Sequence, residues 1–128
     1  MKLLLDTHII LWAAGQPDKL SDKARELLLD TSNTLFFSAA SIWEIVIKRG
    51  LGRDDFKVDP HRLHKMLVLN GYTELTITTE HTLIVNSLPY IHKDPFDRIL
   101  LAQARSEGMF LLTVDTYIIQ YGEGVIAV

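Results

Sequence analysis

Four acids stand where acids are costly. Asp6 interrupts the apolar run LLLDTHIILW, Glu44 lies inside SIWEIVIK, Asp97 inside DPFDRILLAQA, and Asp115 closes FLLTVD. A carboxylate among apolar side chains loses hydration unless a hydrogen bond, a counter-charge or a cation compensates it. Four such groups brought together would repel one another strongly unless some were protonated or a cation sat among them. Oxygen-only donors favour a hard cation, Mg²⁺ or Mn²⁺. Such a centre suits phosphoryl chemistry, in which the ion binds phosphate, holds a water and neutralises charge in the transition state.

Each acid also has a local explanation. Asp97 has Leu100, Leu101 and Ala104 at i+3, i+4 and i+7, which puts it on the apolar stripe of a helix, yet a carboxylate in a first turn also favours the helix dipole. Asp94, before Pro95, reads as an N-cap. Ser41 to Glu44 fits a capping box, and Glu44 with Lys48 is a favourable i,i+4 pair. Asp6 and Asp115 each follow an apolar run and can cap what comes next.

The elements decide between these readings. Short apolar runs at residues 2–5, 34–37 (TLFF), 75–78 (LTIT), 110–114 (FLLTV) and 124–128 (GVIAV) read as strands. Between them lie helical patterns: one capped by Asp6 or Thr7 and stopping at Gly15, one after Ser21, one from Ser38 or Ser41 to Gly50, one from Pro60 to Gly71, a short one over 80–88, and one from Pro95 to Gly108. Residues 51–58 read as a charged loop. Strands alternating with helices imply a parallel sheet covered on both faces, with sites outside the carboxyl ends of the strands. Asp6 and Asp115 end two strands in the same manner and would therefore meet at one edge.

The chain has 128 residues, 48% of them hydrophobic, which fits one domain spanning residues 1–128. It has no cysteine, so disulfides, thiolate metal sites and cysteine nucleophiles are excluded, and a reducing, cytoplasmic location is expected. Asp6 and His8 break the N-terminal apolar stretch too early for a signal peptide, and no run approaches the roughly 18 apolar residues of a membrane span. The formal net charge is -3, without the basic surplus usual in nucleic-acid binders. Setting aside the four candidate acids moves it to +1, so the remainder does not repel a polyanion.

The stretches LLLDTHIILW, FFSAASIWEIVIKRG, LPYIHKDPFDRILLAQA and LLTVDTYI, in that order and over nearly the whole chain, resemble the PIN-domain ribonucleases, in particular VapC-type toxins of toxin–antitoxin pairs. DPFDR followed by LLAQA is similar to one bacterial subgroup. The resemblance implies a three-layer α/β/α sandwich around a central parallel sheet. It places the family's acidic quartet on Asp6, Glu44, Asp97 and Asp115, with polar partners at Thr7 and Thr113 and an additional acid at Asp94. It further implies Mg²⁺- or Mn²⁺-dependent endonucleolytic cleavage of RNA, with metal held by Asp6, Asp97 and Asp115 and with Glu44 positioning or deprotonating the water. The products would carry 5′-phosphate and 3′-hydroxyl ends. A homodimer and a small antitoxin covering the active-site groove are implied as partners.

Lys48, Arg49, Arg53, Lys57 and Arg98 are candidates for phosphate contacts, favoured for the group from Lys48 to Lys57, whereas Arg98 reads first as an ordinary solvated surface charge. Ile10, Leu11 and Trp12 can serve either core or partner. His8 and His92 flank the motifs, and both are expected to be solvated or core-edge residues. Three rival readings remain: a phosphoacceptor receiver domain, an inert interaction domain, and a nuclease of RNA maturation. A receiver wants an acidic pair after the first strand and a late lysine. Here Thr7 follows Asp6, and no lysine occurs after Lys93. An inert domain would be expected to lack one of the acids, and all four are present.

Overall fold

The computed structural model describes residues 1–52 and 58–128. Its strands are β1 (Lys2–Leu5), β2 (Thr34–Ser38), β3 (Thr73–Leu75), β4 (Phe110–Thr113) and β5 (Val125–Ala127). The helices are α1 (Thr7–Gly15), α2 (Asp22–Leu29), α3 (Ala39–Gly50), α4 (Pro60–Leu69), α5 (Thr79–Val85), α6 (Pro95–Glu107) and α7 (Thr116–Ile119). No helix among the described residues is long and apolar enough to cross a membrane.

The strands form one parallel sheet in the order β3-β2-β1-β4-β5. β1 is central, with Leu3 opposite Leu35 on one side and Phe110 on the other. Side chains alternate along it. Leu4 and Leu111 pack against Leu100, Leu101 and Ala104 of α6 and Ile118 of α7. Leu5 and Phe37 face the opposite way, onto Ile9 and Ile10 of α1 and Leu63 and Leu67 of α4. Two cores on the two faces make the expected three-layer sandwich. From β1 the chain winds outward through β2 and β3, then returns to β4 on the other side of β1. The point of reversal lies between β1 and β4, where a doubly wound sheet opens a crevice.

Helix ends follow the local chemistry. Asp6, Ser21, Ser38, Asp59, Thr78, Asp94 and Asp115 all cap helices through their side chains. Gly108 ends α6 with φ +66°, a left-handed conformation that costs glycine little. Two expectations are corrected. The third strand is Thr73–Leu75 rather than 75–78, because its pairing with Phe36 to Ser38 fixes the register. Thr78, expected to end that strand, instead caps α5 in a capping box completed by His81. The α3 cap is Ser38, which accepts from the Ala40 N–H, so Ser41 and Glu44 do not form a capping box at the helix start and are released for other contacts.

Candidate active site

Asp6 leaves β1 directly and is 2% exposed. Its Oδ1 accepts from the Ile9 N–H at 3.1 Å, and its Oδ2 accepts a short bond from the Thr113 hydroxyl. Thr113 ends β4, and its Oγ1 also accepts from the Asp115 N–H at 3.0 Å. One threonine therefore ties the ends of the two strands that flank the crevice. Asp115 repeats the arrangement: Oδ1 caps α7 through the N–H groups of Tyr117 (2.8 Å) and Ile118 (3.0 Å), while Oδ2 faces inward. Capping and site-building are not alternatives here, since a carboxylate has two oxygens and each does one task.

Glu44 is 4% exposed on the second turn of α3. Its Oε1 lies 2.7 Å from Thr7 Oγ1, and its Oε2 is 2.7 Å from Lys48 Nζ, the expected i,i+4 pair. Thr7 Oγ1 is also 3.0 Å from Ser41 Oγ. A hydroxyl has one hydrogen; the Glu44 carboxylate can only accept, so Thr7 donates to it and Ser41 donates to Thr7. Ser41, expected as a cap, thus orients Thr7.

Asp97 lies in the first turn of α6, after the Asp94 cap, whose Oδ1 accepts from Phe96 (2.8 Å) and Asp97 (3.4 Å). Burial pushes Asp97 up to about 7, with the charges of Asp94, Asp6 and Glu44 adding to the rise and His92 opposing it. Burial likewise raises Asp6, against the Thr113 and Ile9 hydrogen bonds. The carboxylates at the end of β1, on α3 and at the start of α6 therefore feel one another across one crevice.

His92, expected as a solvated or core-edge residue, is half-buried and lies against the acidic cluster. Its Nε2 lies 2.8 Å from Asp97 Oδ2 and 3.6 Å from Asp115 Oδ2, and its ring stacks on Tyr117 with centroids 5.2 Å apart. One nitrogen and two carboxylate oxygens of His92, Asp97 and Asp115 all fall within 4.8 Å of one another. The only signal in the sequence was its place two residues before the capping Asp94. His8 is exposed beside Trp12, as expected.

Arg98 is also corrected. It is 8% exposed and faces no solvent groove: its guanidinium donates to the carbonyls of Val85, Leu88, Pro89 and His92 and to Tyr121 Oη. It braces the segment between α5 and α6 instead of meeting phosphate. Arg98→Lys should destabilise the protein by about 2–4 kcal/mol, since one ammonium cannot satisfy that fan of carbonyls. Urea unfolding would measure it, and a cost below 0.5 kcal/mol, the size of an ordinary surface change, would return Arg98 to the surface cations. Arg49 is exposed, 3.4 Å from Asp59. Arg53 and Lys57 lie outside the described residues. Ile10 is fully buried, while Leu11 and Trp12 are half-buried and pack against the same core. Exposed apolar side chains occur on several elements, and on α3 they are Trp43 (59% exposed), Val46 and Ile47.

A doubly wound α/β domain with an acidic cluster at its reversal point is the class of protein defined by this fold and site. The PIN domain model matches residues 3–124, and the chain belongs to the PIN domain family, a family of nucleases. No curated protein sequence matches the chain significantly. Among solved structures it is similar to a chain of VapBC2 from Rickettsia felis bound to a DNA fragment from their promoter, at 16% identity and TM-score 0.70, over 100% of this chain and 98% of that one. A chain of a toxin-antitoxin complex from Klebsiella pneumoniae matches at 18% identity and TM-score 0.61, over 98% and 96%. One of VapBC-1 from nontypeable Haemophilus influenzae matches at 20% identity and TM-score 0.61, over 94% and 92%. At such identities the likeness is one of fold.

Proposed function

We propose that this chain is a divalent-metal-dependent endoribonuclease and the toxin of a toxin–antitoxin pair. The observation that carries the reading is geometric: Asp97 Oδ2 and Asp115 Oδ2 lie 2.8 and 3.6 Å from the same His92 nitrogen, beside the buried Asp6 and Glu44, and burial with the charges of Asp94, Asp6 and Glu44 raises Asp97. Like charges converging in a crevice call for a cation, and a donor set dominated by carboxylate oxygens fits Mg²⁺ or Mn²⁺. Asp6, Asp97 and Asp115 would hold it. When bound, the ion would neutralise the cluster, bind the scissile phosphate and lower the pKa of a water.

The chain's own residues do the rest. Glu44 is fixed at one oxygen by Thr7 and at the other by Lys48. Each carboxylate oxygen keeps a further lone pair, so Glu44 can accept the proton of the attacking water while Lys48 stabilises its charge. Thr113 keeps Asp6 and Asp115 in register, because it bonds to both. Asp94 caps α6 and thereby sets the first turn on which Asp97 sits.

The partner reading draws on two supports. The similar folds come from VapBC and other toxin–antitoxin complexes. The exposed Trp43, Val46 and Ile47 lie on the helix that carries Glu44. An antitoxin that covered this apolar face would also close the acidic crevice. A homodimer is proposed as the toxin's own state, with Lys48, Arg49, Arg53 and Lys57 kept as candidates for contact with RNA.

The test is cleavage of a panel of structured and single-stranded RNAs by partner-free protein, with Mg²⁺, with Mn²⁺ and with EDTA, beside Glu44→Gln. The parent should cut only with metal and leave 5′-phosphate ends. Glu44→Gln should be about 10²–10⁴-fold slower, the usual contribution of a general base. Cutting that persists in EDTA would refute the metal reading. Equal cutting by the variant would remove Glu44 from the chemistry.

A further inference from the structure

His92 sits in the segment between α5 and α6, which has no helical or strand hydrogen bonding of its own to hold it. Two side chains hold it instead. The Arg98 guanidinium donates to the carbonyls of Pro89 and His92 at 3.1 and 3.2 Å. Tyr121 Oη donates to the Pro89 carbonyl at 2.8 Å and accepts from the His92 N–H at 3.0 Å. The backbone of His92 is thus pinned at both its donor and its acceptor.

The ring is pinned as well. Tyr117 stacks on one face of it. The Asp94 N–H donates to Nδ1 at 3.4 Å. An Nδ1 that accepts carries a lone pair, so in the neutral ring the proton is on Nε2. That nitrogen points at Asp97 Oδ2, 2.8 Å away, with Asp115 Oδ2 at 3.6 Å. For Nε2 to ligate a cation, Nδ1 would have to bear the hydrogen and face the Asp94 N–H, donor against donor.

We propose that His92 is a positioning residue: its Nε2–H holds Asp97 Oδ2, fixing that carboxylate beside Asp115 with its remaining oxygen turned to the cation. The inference rests on the metal site proposed above. Partners of this kind orient metal-binding groups, and their loss commonly weakens metal affinity about 10–100-fold.

The first measurement is long-range ¹H–¹⁵N correlation on ¹⁵N-histidine protein at about pH 8. Nε2 should carry the proton both without metal and with saturating Mg²⁺. A proton on Nδ1, or loss of the Nε2 proton on adding Mg²⁺, would overturn the proposal and make His92 a ligand. The second is calorimetric Mn²⁺ affinity of the parent, His92→Ala and His92→Gln. The alanine variant should bind about 10–100-fold more weakly. The glutamine variant, whose amide N–H₂ reaches the position of Nε2, should recover most of that loss. Equal affinity of all three would overturn the proposal, as would a glutamine variant no better than alanine. Failure of the parent itself to bind any divalent cation would refute the metal site, and the ring proton would still report separately whether the His92 to Asp97 bond exists.

Discussion

Asp6→Asn is expected to lose about 10³-fold or more in cleavage rate while melting at a higher temperature than the parent in metal-free buffer. The two effects have one source. Asp6 is buried and burial raises its pKa, so its ionised form is disfavoured when no cation is bound, and its charge helps raise Asp97. Asparagine keeps the cap, because its amide oxygen accepts from the Ile9 N–H as Oδ1 does now. Its amide nitrogen would meet Thr113 Oγ1, which can turn to accept. The fold therefore loses little and sheds one of several crowded charges. Melting should rise by roughly 2–5 °C. Addition of Mg²⁺ should then reverse the order, stabilising the parent far more than the variant by mass action. Thermal melts with EDTA and with Mg²⁺, run beside the RNA assay, check this. A variant that cleaves normally would show Asp6 to be a cap alone. A variant that melts lower without metal would show that its carboxylate stabilises the fold and was never under electrostatic stress.

Much of this was legible in the sequence because the signals are local. Asp6 follows three consecutive leucines, Asp115 follows FLLTV, and Pro95 stands between a capping Asp94 and an apolar helix. Such patterns specify strand ends and caps, and a parallel sheet then brings its strand ends to one edge. What was not legible depends on tertiary partners. Arg98 reads as a surface charge until the carbonyls of Val85, Leu88, Pro89 and His92 are seen around it. His92 lies in a segment with no periodicity, and its aim is set by that brace. Ser41 fits a capping box by spacing, but β2 runs to Ser38 and the helix begins at once, so Ser41 falls inside α3 and turns to Thr7. The strand expected at 75–78 failed similarly, since pairing with β2 outweighs the β-propensity of Thr76 to Thr78.

Metal affinity is expected to increase about tenfold per unit as the pH is raised toward 7 and to level off above it. Asp97 supplies the reason. In the metal-free protein its pKa is pushed up to about 7, first by burial and then by Asp94, Asp6 and Glu44. Below that value its proton competes with the cation. Stability without metal should move the other way. An acid whose folded pKa exceeds its unfolded value binds more protons in the native state over the interval between the two, so unfolding becomes easier as pH rises through it. For Asp97 that interval runs from the model-peptide value of 3.8 to about 7, and Asp6, shifted in the same direction, adds to it. Melting in EDTA should therefore fall by on the order of 5 °C between pH 5 and pH 7.5. Saturating Mg²⁺ should flatten or invert the slope. Asp97→Asn should bind metal weakly and lose most of both pH dependences. Calorimetric titration with Mn²⁺ at half-unit intervals, paired with melts over the same range, measures each arm. A dissociation constant flat from pH 5.5 to 8 would mean that Asp97 is already ionised before the cation binds or takes no part in holding it. Absence of Mn²⁺ binding at every pH would overturn the reading of the crevice as a metal centre.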